Sequence, residues 1–289
     1  MAHSIVENDK GFASEVSAGN FDAYFKRIHF KGERKPTLAT LQSIHFLHPQ
    51  HIPFENLNPL LRIPVKLDLP SLERKILFDT RGGYCFEHNL LLKAALESLG
   101  YKVKGLAARV LFGQPDGAIT ARGHMLLLIE IDSIQYIADV GFGGLTLTTP
   151  IVLKAGIEQQ TPHEPFRLVE VQDEFRLEAL VRGEWKALYR FGLQEHFQVD
   201  YEVTSYYLSN NPNSHFVSGL IAARTESDRR YALRNNELAI HNRGGDTERR
   251  VITSAEELEN ILSETFGILL PEGDALKTAL TKIAEAVKQ

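Results

Sequence analysis

The sequence predicts an α+β protein in three consecutive parts: an N-terminal helical bundle over 1–100, a central antiparallel β-barrel-like domain over 101–210, and a mixed α/β part over 211–289. Three observations lead there. Apolar residues recur at helical spacing up to Gly100, alternating strand patterns separated by short turns run from Tyr101 to about Phe191, and capped helices return after Ser254. At 289 residues and 43% hydrophobic, the chain has material for a substantial core and for two or three subdomains.

In the first part, Phe21, Tyr24, Phe25 and Ile28 share a helix face, as do Leu38, Leu41, Ile44 and Leu47 after a Thr37 cap. His51 to Leu57 and Arg62 to Pro64 read as proline-punctuated connectors, and Asp68-Leu69-Pro70-Ser71 announces a short helix. A longer helix opens at Cys85, with Phe86, Leu90, Leu91, Ala94, Ala95 and Leu99 in register and Gly100 as its stop. Strands are expected at 102–104, 124–131, 134–140, 166–171, 175–181 and 185–191, with Asp132-Ser133 and Arg182-Gly183 as turns. Asp200 is expected to cap a helix through Tyr206 and Tyr207, followed by a loop over 209–214 and strands near 220–224, 231–233 and 238–241. Helices close the chain: one after Ser254 with Glu257 in a capping box, and one from Asp274 with Leu276, Leu280, Ile283 and Val287 on one face.

Charge and motifs narrow the function. Lys plus Arg number 32 against 37 Asp plus Glu, a formal charge of -5, which offers no electrostatic reason to expect nucleic acid as a partner. The stretch MAHSIVENDKGFASE lacks the basic-then-apolar pattern of a signal peptide, and no apolar run has bilayer-spanning length, so a cytoplasmic protein without membrane contact is expected. A single cysteine excludes an internal disulfide and any cysteine-cluster metal site. The histidines lack metal-ligand spacing, no phosphate-binding glycine loop occurs, and no metal is expected.

That cysteine lies in Arg81-Gly82-Gly83-Tyr84-Cys85-Phe86-Glu87-His88-Asn89. A lone cysteine is often an inert buried hydrophobe. This one follows two glycines and opens a helix, where unpaired N–H groups favour thiolate over thiol, as a nucleophile requires. Eleven histidines compete as its base. If Asp132-Ser133 is a two-residue turn, facing residues sum to 265, and His124 becomes a diagonal neighbour of Asp139 on one face of the hairpin. An odd loop would reverse that parity. His88, three positions after Cys85 on its helix, is a rival base, and His215 a second. His45, His48 and His51 read as surface or connector residues.

The nine residues from Arg81, His124, Asp139-Val140-Gly141-Phe142-Gly143 and Pro53-Phe54-Glu55-Asn56-Leu57 together resemble the motifs of the arylamine N-acetyltransferases. Separations of 39 residues from Cys85 to His124 and 15 from His124 to Asp139 fit that family's triad. The resemblance implies a cysteine-protease-like Cys-His-Asp core and a C-terminal lid. It further implies double-displacement acetyl transfer from acetyl-coenzyme A to an arylamine, hydrazine or N-hydroxyarylamine. Cys85 would be the nucleophile, His124 the base and Asp139 its orienter, with the Cys85 N–H as an oxyanion donor. Arg81 and Glu55 would support the nucleophile loop, either as a fixed pair or as an ordinary surface ion pair. Phe54, Val110, Phe142 and Phe216 match acceptor-binding positions, and Thr120, Gly143 and Ser214 match coenzyme A contacts. Acetyl-coenzyme A would be a cosubstrate with no tightly bound cofactor, and the protein a monomer or homodimer. Rival readings of the same residues are a cysteine hydrolase or transglutaminase-like enzyme, a macrolactam-forming amide synthase, and a binder without catalysis.

Overall fold

The computed structural model describes residues 21–286. Val287 and the stretch before Phe21 lie outside the described residues. In the first part α1 (Phe21–Arg27), α2 (Leu38–His51), β1 (Phe54–Glu55), α3 (Leu57–Leu60), α4 (Leu69–Leu72) and α5 (Cys85–Ser98) follow one another, α4 continuing in π-helical turns over Glu73–Phe78. The central part holds β2 (Lys102–Val110), β3 (His124–Ile131), β4 (Ile134–Ala138), β5 (Ile151–Val152), β6 (Glu158–Gln159), β7 (Phe166–Val171), β8 (Glu174–Val181) and β9 (Glu184–Phe191). Then come α6 (Gln198–Asn210), α7 (His215–Ser218), β10 (Ile221–Thr225), β11 (Arg229–Arg234), β12 (Glu237–Asn242), β13 (Thr247–Val251), α8 (Ala255–Asn260) and α9 (Asp274–Glu285).

Local chemistry explains most boundaries. The Thr37, Asp68, Ser214 and Ser254 side chains each accept an N–H from the first turn of the helix they cap. Asp200 is not the cap of α6: Phe197 is, and Asp200 at the third helical position accepts the Phe197 N–H at 2.8 Å. That helix also runs on to Asn210, into the expected loop. β2 reaches Val110, well past the expected 102–104, because it is a central strand whose Gly105 to Ala108 are all buried and read as a continuous apolar run.

The central sheet has strand order β5-β4-β3-β2-β9-β8-β7-β6, antiparallel throughout. Its two edges are consecutive in sequence and joined by one side chain, since Gln159 accepts the Val152 N–H at 2.8 Å and donates to the Val152 carbonyl at 2.9 Å. The sheet therefore curls into a barrel that all but abolishes its edges. Its interior is the core of Leu106, Leu126, Phe166, Leu188 and their neighbours.

The β3–β4 hairpin has the even register. Asp132 and Ser133 both take positive φ, 50° and 63°, as a two-residue type I′ turn demands, and Ile131 faces Ile134 while Leu127 faces Ala138. The ladder stops at Ala138, so Asp139 leaves the sheet still on the His124 side.

The connector at 54–55 is a strand with a distant partner. β1 edges a five-stranded sheet of order β1-β10-β11-β12-β13, pairing Phe54 with Ala223, and Leu57 enters the C-terminal core beside Leu220, Leu258 and Leu280. β13 was invisible in the sequence because Thr-Glu-Arg-Arg-Val is an exposed edge strand without an apolar face. The third core lies between α1, α2, α5 and the outer side of β3.

Ser133→Gly places at a left-handed position the one residue that adopts it without steric cost. It is expected to stabilise the protein by roughly 0.5–1 kcal/mol, measurable as a rise of about 1–4 °C in Tm.

Candidate active site

The first turn of α5 is the anchor of the site. Gly83 and Glu87 interlock, since a Cβ at Gly83 would come 2.7 Å from the Glu87 Cβ, and the Glu87 carboxylate accepts the Tyr84 N–H at 3.0 Å. Gly82 lies so close to the Pro53 carbonyl that no side chain fits, while Glu55 N–H donates to the Gly83 carbonyl at 2.8 Å. Cys85 thus emerges at a helix N-terminus braced against β1, only 3% exposed, with Sγ 3.7 Å from the Gly123 carbonyl. On its other side Gly141 packs so tightly that a Cβ there would meet the Cys85 Cα at 2.8 Å.

His124 begins β3 and Asp139 follows β4, both buried. His124 Nε2 donates to Asp139 Oδ2 at 2.7 Å, while Asp139 Oδ1 accepts the Asn89 amide at 3.0 Å and the Gly141 N–H at 2.9 Å. Burial alone would raise the Asp139 carboxyl, but His124, Asn89 and Gly141 together hold it below its ordinary value. Burial works against the His124 imidazolium, yet Asp139 and then hydrogen bonding with Cys85 carry it up to about 10. Nε2 is committed to Asp139, so the nitrogen available to Cys85 is Nδ1.

The rival base is otherwise engaged. His88 Nε2 meets the Pro53 carbonyl at 3.2 Å, His88 Nδ1 meets His48 Nε2 at 2.9 Å, and His48 Nδ1 meets Tyr24 OH at 2.8 Å. The terminal carbonyl only accepts, so every proton in the row is assigned: His88 Nε2–H to Pro53, His48 Nε2–H to His88, Tyr24 O–H to His48. Burial lowers His88 to about 4 and His48 well below the usual histidine value. His215 is exposed on α7, its ring tilted against Phe216. His45 and His48 are not surface residues but wholly buried on the inner side of α2. His45 Nε2 accepts the Asp139 N–H at 3.1 Å, the backbone group left unpaired where β4 ends, while its Nδ1 is buried without a hydrogen-bond partner.

Arg81 and Glu55 form a buried pair rather than a surface one. Arg81 Nε and Nη2 reach Glu55 Oε1 at 3.0 and 2.7 Å, and Lys75 from the π-helical turns joins Glu55 at 3.7 Å to Glu87 at 2.6 Å. Two cations and two carboxylates therefore bracket the loop before Cys85. Lys75 escaped the sequence reading because helical periodicity carries no signal for a π-helical turn.

Aromatic rings surround the site. Phe142 stands edge-on to His124 at 5.2 Å between ring centres, and Phe216 stands edge-on to Tyr84 at 5.4 Å and tilted to Phe54 at 6.2 Å. Gly143 packs on Phe54, and Phe216 is fixed by its carbonyl accepting the Asn56 amide at 2.8 Å. Val110 faces Tyr189 across the β2–β9 ladder, and Tyr189, missed in the sequence, lies 4.9 Å from the His124 ring. Burial and then the Asp139 carboxylate push the Tyr189 phenol far up, so it stays neutral. The Thr120 hydroxyl donates to the Val110 carbonyl at 2.8 Å, and the Ser214 hydroxyl is occupied in capping α7. Among the described residues no cluster of side chains has the makings of a metal site, and no helix is long and apolar enough to cross a membrane.

A family model described as N-acetyltransferase matches residues 37–275. The arylamine N-acetyltransferase of Mycolicibacterium smegmatis is 44% identical over 275 residues, covering 93% of this chain and 99% of its own. The chain belongs to the arylamine N-acetyltransferase family. It is an acyltransferase on that ground. Within the family it is 37% identical to the Salmonella typhimurium arylamine N-acetyltransferase / N-hydroxyarylamine O-acetyltransferase, covering 85% of this chain and 88% of that one. The structure of the Mycobacterium marinum arylamine N-acetyltransferase in complex with CoA superposes with a TM-score of 0.88 at 40% identity, covering 91% of this chain and 99% of that one.

Arg81→Met leaves Glu55 buried beside a weakened partner set and is expected to cost about 3–5 kcal/mol, read from urea unfolding. Acid acts through the imidazoles. His45 and His88 bind protons only near pH 4 when folded but near 6.5 when unfolded, so the stability their burial permits is full above 6.5 and lost as pH falls toward 4. His124 works in the opposite direction, its contribution being full below 6.5 and lost as pH rises through about 10. Unfolding midpoints across this range are expected to fall off on both sides.

Proposed function

We propose that the chain transfers an acetyl group from acetyl-coenzyme A to an arylamine, hydrazine or N-hydroxyarylamine by a double displacement through Cys85. The observation that carries this reading is the set Cys85, His124, Asp139: a buried sulfur at a helix N-terminus, an imidazole whose proton affinity both the sulfur and a carboxylate raise, and that buried carboxylate held by the imidazole Nε2 at 2.7 Å. The CoA complex of the Mycobacterium marinum relative and the arylamine names of the relatives support the choice of donor and acceptor.

His124 takes the Cys85 proton, and the resulting thiolate attacks the thioester carbonyl. The carbonyl oxygen gains charge beside the Cys85 N–H, in the first turn of α5, where backbone donors have no intrahelical partner. Coenzyme A leaves as its thiol with the proton held on His124, and Cys85 carries the acetyl group. Because one thioester replaces another, little of the donor's reactivity is lost. The acceptor then enters. Aromatic amines and hydrazines are weak bases that arrive unprotonated at neutral pH, and the flat walls of Phe54, Phe142 and Phe216, with Val110 behind, suit an arene. Attack on the acetyl carbonyl transfers the amine proton to His124, expels the Cys85 thiolate and forms the amide. Asp139 holds the imidazole in one tautomer and orientation throughout.

Thr120, Gly143 and Ser214 are proposed contacts for coenzyme A. Gly143 is the best supported, with φ of 83° and a position against Phe54 that no side chain crowds. Arg81 and Glu55 are proposed as support for the nucleophile loop, a role consistent with their burial.

Intact mass after mixing with acetyl-coenzyme A tests the mechanism. Wild type is expected to gain one acetyl group and discharge it onto an added arylamine, while Cys85→Ala gains none and His124→Ala falls by at least about 100-fold in acylation rate. Discharge onto water at the same rate with and without the amine would instead favour a hydrolase.

A further inference from the structure

The main chain of Asp139 is held by more than the triad. Its carbonyl accepts the Thr146 hydroxyl at 2.8 Å, and the Thr146 hydroxyl oxygen in turn accepts the Phe142 N–H at 3.3 Å. Thr146 N–H in turn donates to the Gly143 carbonyl at 3.2 Å. A hydroxyl has one proton to give and lone pairs to receive, so this one group closes 139–146 into a loop and fixes two site residues at once: Asp139, which orients His124, and Phe142, whose ring stands against His124. Thr146 is 2% exposed, so water cannot replace either bond.

The loop is braced from the C-terminal sheet. Arg230 on β11 donates to the Thr146 carbonyl at 3.0 Å. Its guanidinium is also held by Glu164 at 2.7 to 3.1 Å and by Thr225 Oγ1 at 3.2 Å. It is among the largest fully buried side chains of the protein, at 1% exposure. A buried guanidinium with each of these acceptors placed by a different segment is a rigid strut, since any shift of Thr146 breaks a charge-assisted hydrogen bond in a place without solvent.

We propose that Thr146 is a positioning residue for the Asp139–His124 pair and for Phe142, and that Arg230 is the brace through which the C-terminal sheet holds Thr146 in place. The inference rests on the triad reading above. The Thr146 hydroxyl bonds to the Asp139 carbonyl and the Phe142 N–H and acts through them. Its effect is to keep the Asp139 carboxylate within hydrogen-bonding distance of Nε2, and hence His124 facing Cys85.

The test is the rate of Cys85 alkylation by iodoacetamide as a function of pH, with folding checked by near-UV circular dichroism. A role confined to stability would lower Tm without moving this profile. Asp139→Asn is the reference and is expected to shift the profile to higher pH. Thr146→Val, close in shape but without the hydroxyl, is expected to shift it the same way and to slow alkylation near pH 6 by about 10-fold, whereas Thr146→Ser stays within about 2-fold of wild type. Arg230→Lys keeps a charge beside Glu164 but cannot span all three partners, and is expected to shift the profile in the same direction by less. A wild-type profile in folded Thr146→Val, or a loss in Thr146→Ser equal to that in Thr146→Val, overturns the role of Thr146. An unmoved profile in Arg230→Lys overturns the brace, and carries the test by itself if Thr146→Val does not fold. An unmoved profile in Asp139→Asn would instead bring down the triad reading.

Discussion

A carboxylate with no solvent exposure stays charged only where donors surround it, and Asp139 is such a group. Its donors come from three places: the Asn89 amide on α5, the His124 ring on β3 and the Gly141 N–H just beyond it in the chain. Satisfying the charge therefore docks α5 onto the hairpin in one arrangement. Asn89 strengthens the lock by also donating to the Met125 carbonyl at 2.8 Å and accepting the Val140 N–H at 3.2 Å. Packing of α5 on β3 supplies the apolar burial for this contact, and the polar groups choose its register.

The same logic governs the loop before Cys85. Glu55, Arg81, Lys75 and Glu87 form a balanced, nearly dry set of charges, and the net worth of such a set against well-packed apolar side chains is small. What it provides is geometry. Glu87 ties the Tyr84 N–H, Arg81 ties β1, and the two glycines between them let backbone lie against backbone where a Cβ would collide. The row Tyr24, His48, His88 and Pro53 is a second buried polar set beneath it, with each proton assigned by the carbonyl at its end. Neutral imidazoles there leave His124 as the buried histidine whose proton affinity rises.

Elements governed by neighbours in the chain were legible. Periodicity and caps located α2, α5, α8 and α9, and alternation located β3, β7, β8 and β9 to within a residue. Even the pairing of His124 with Asp139 followed from local facts, because a two-residue turn fixes parity and parity fixes which side chains share a face. The misses share a cause. His45 and His48 are polar and read as outside, yet each is buried with a hydrogen bond to a remote segment. Phe54-Glu55 is a strand only because β10 arrives some 170 residues later to pair with it. Lys75, Thr146, Tyr189 and Arg230 carry no motif by themselves and acquire meaning only from what they touch.

The sequence by itself determined the candidate groups and the family: one thiol at a helix start, a histidine and an aspartate on one hairpin face, and the motifs that resemble a single family. Composition, spacing and turn parity are short-range properties, and they suffice for that. Tertiary structure decided which histidine is paired with a buried carboxylate, which charges are buried, and how the C-terminal sheet reaches the site through β1 and Arg230. Those outcomes depend on desolvation and on hydrogen bonds between segments far apart in the chain, quantities that exist only once the three cores have closed around them.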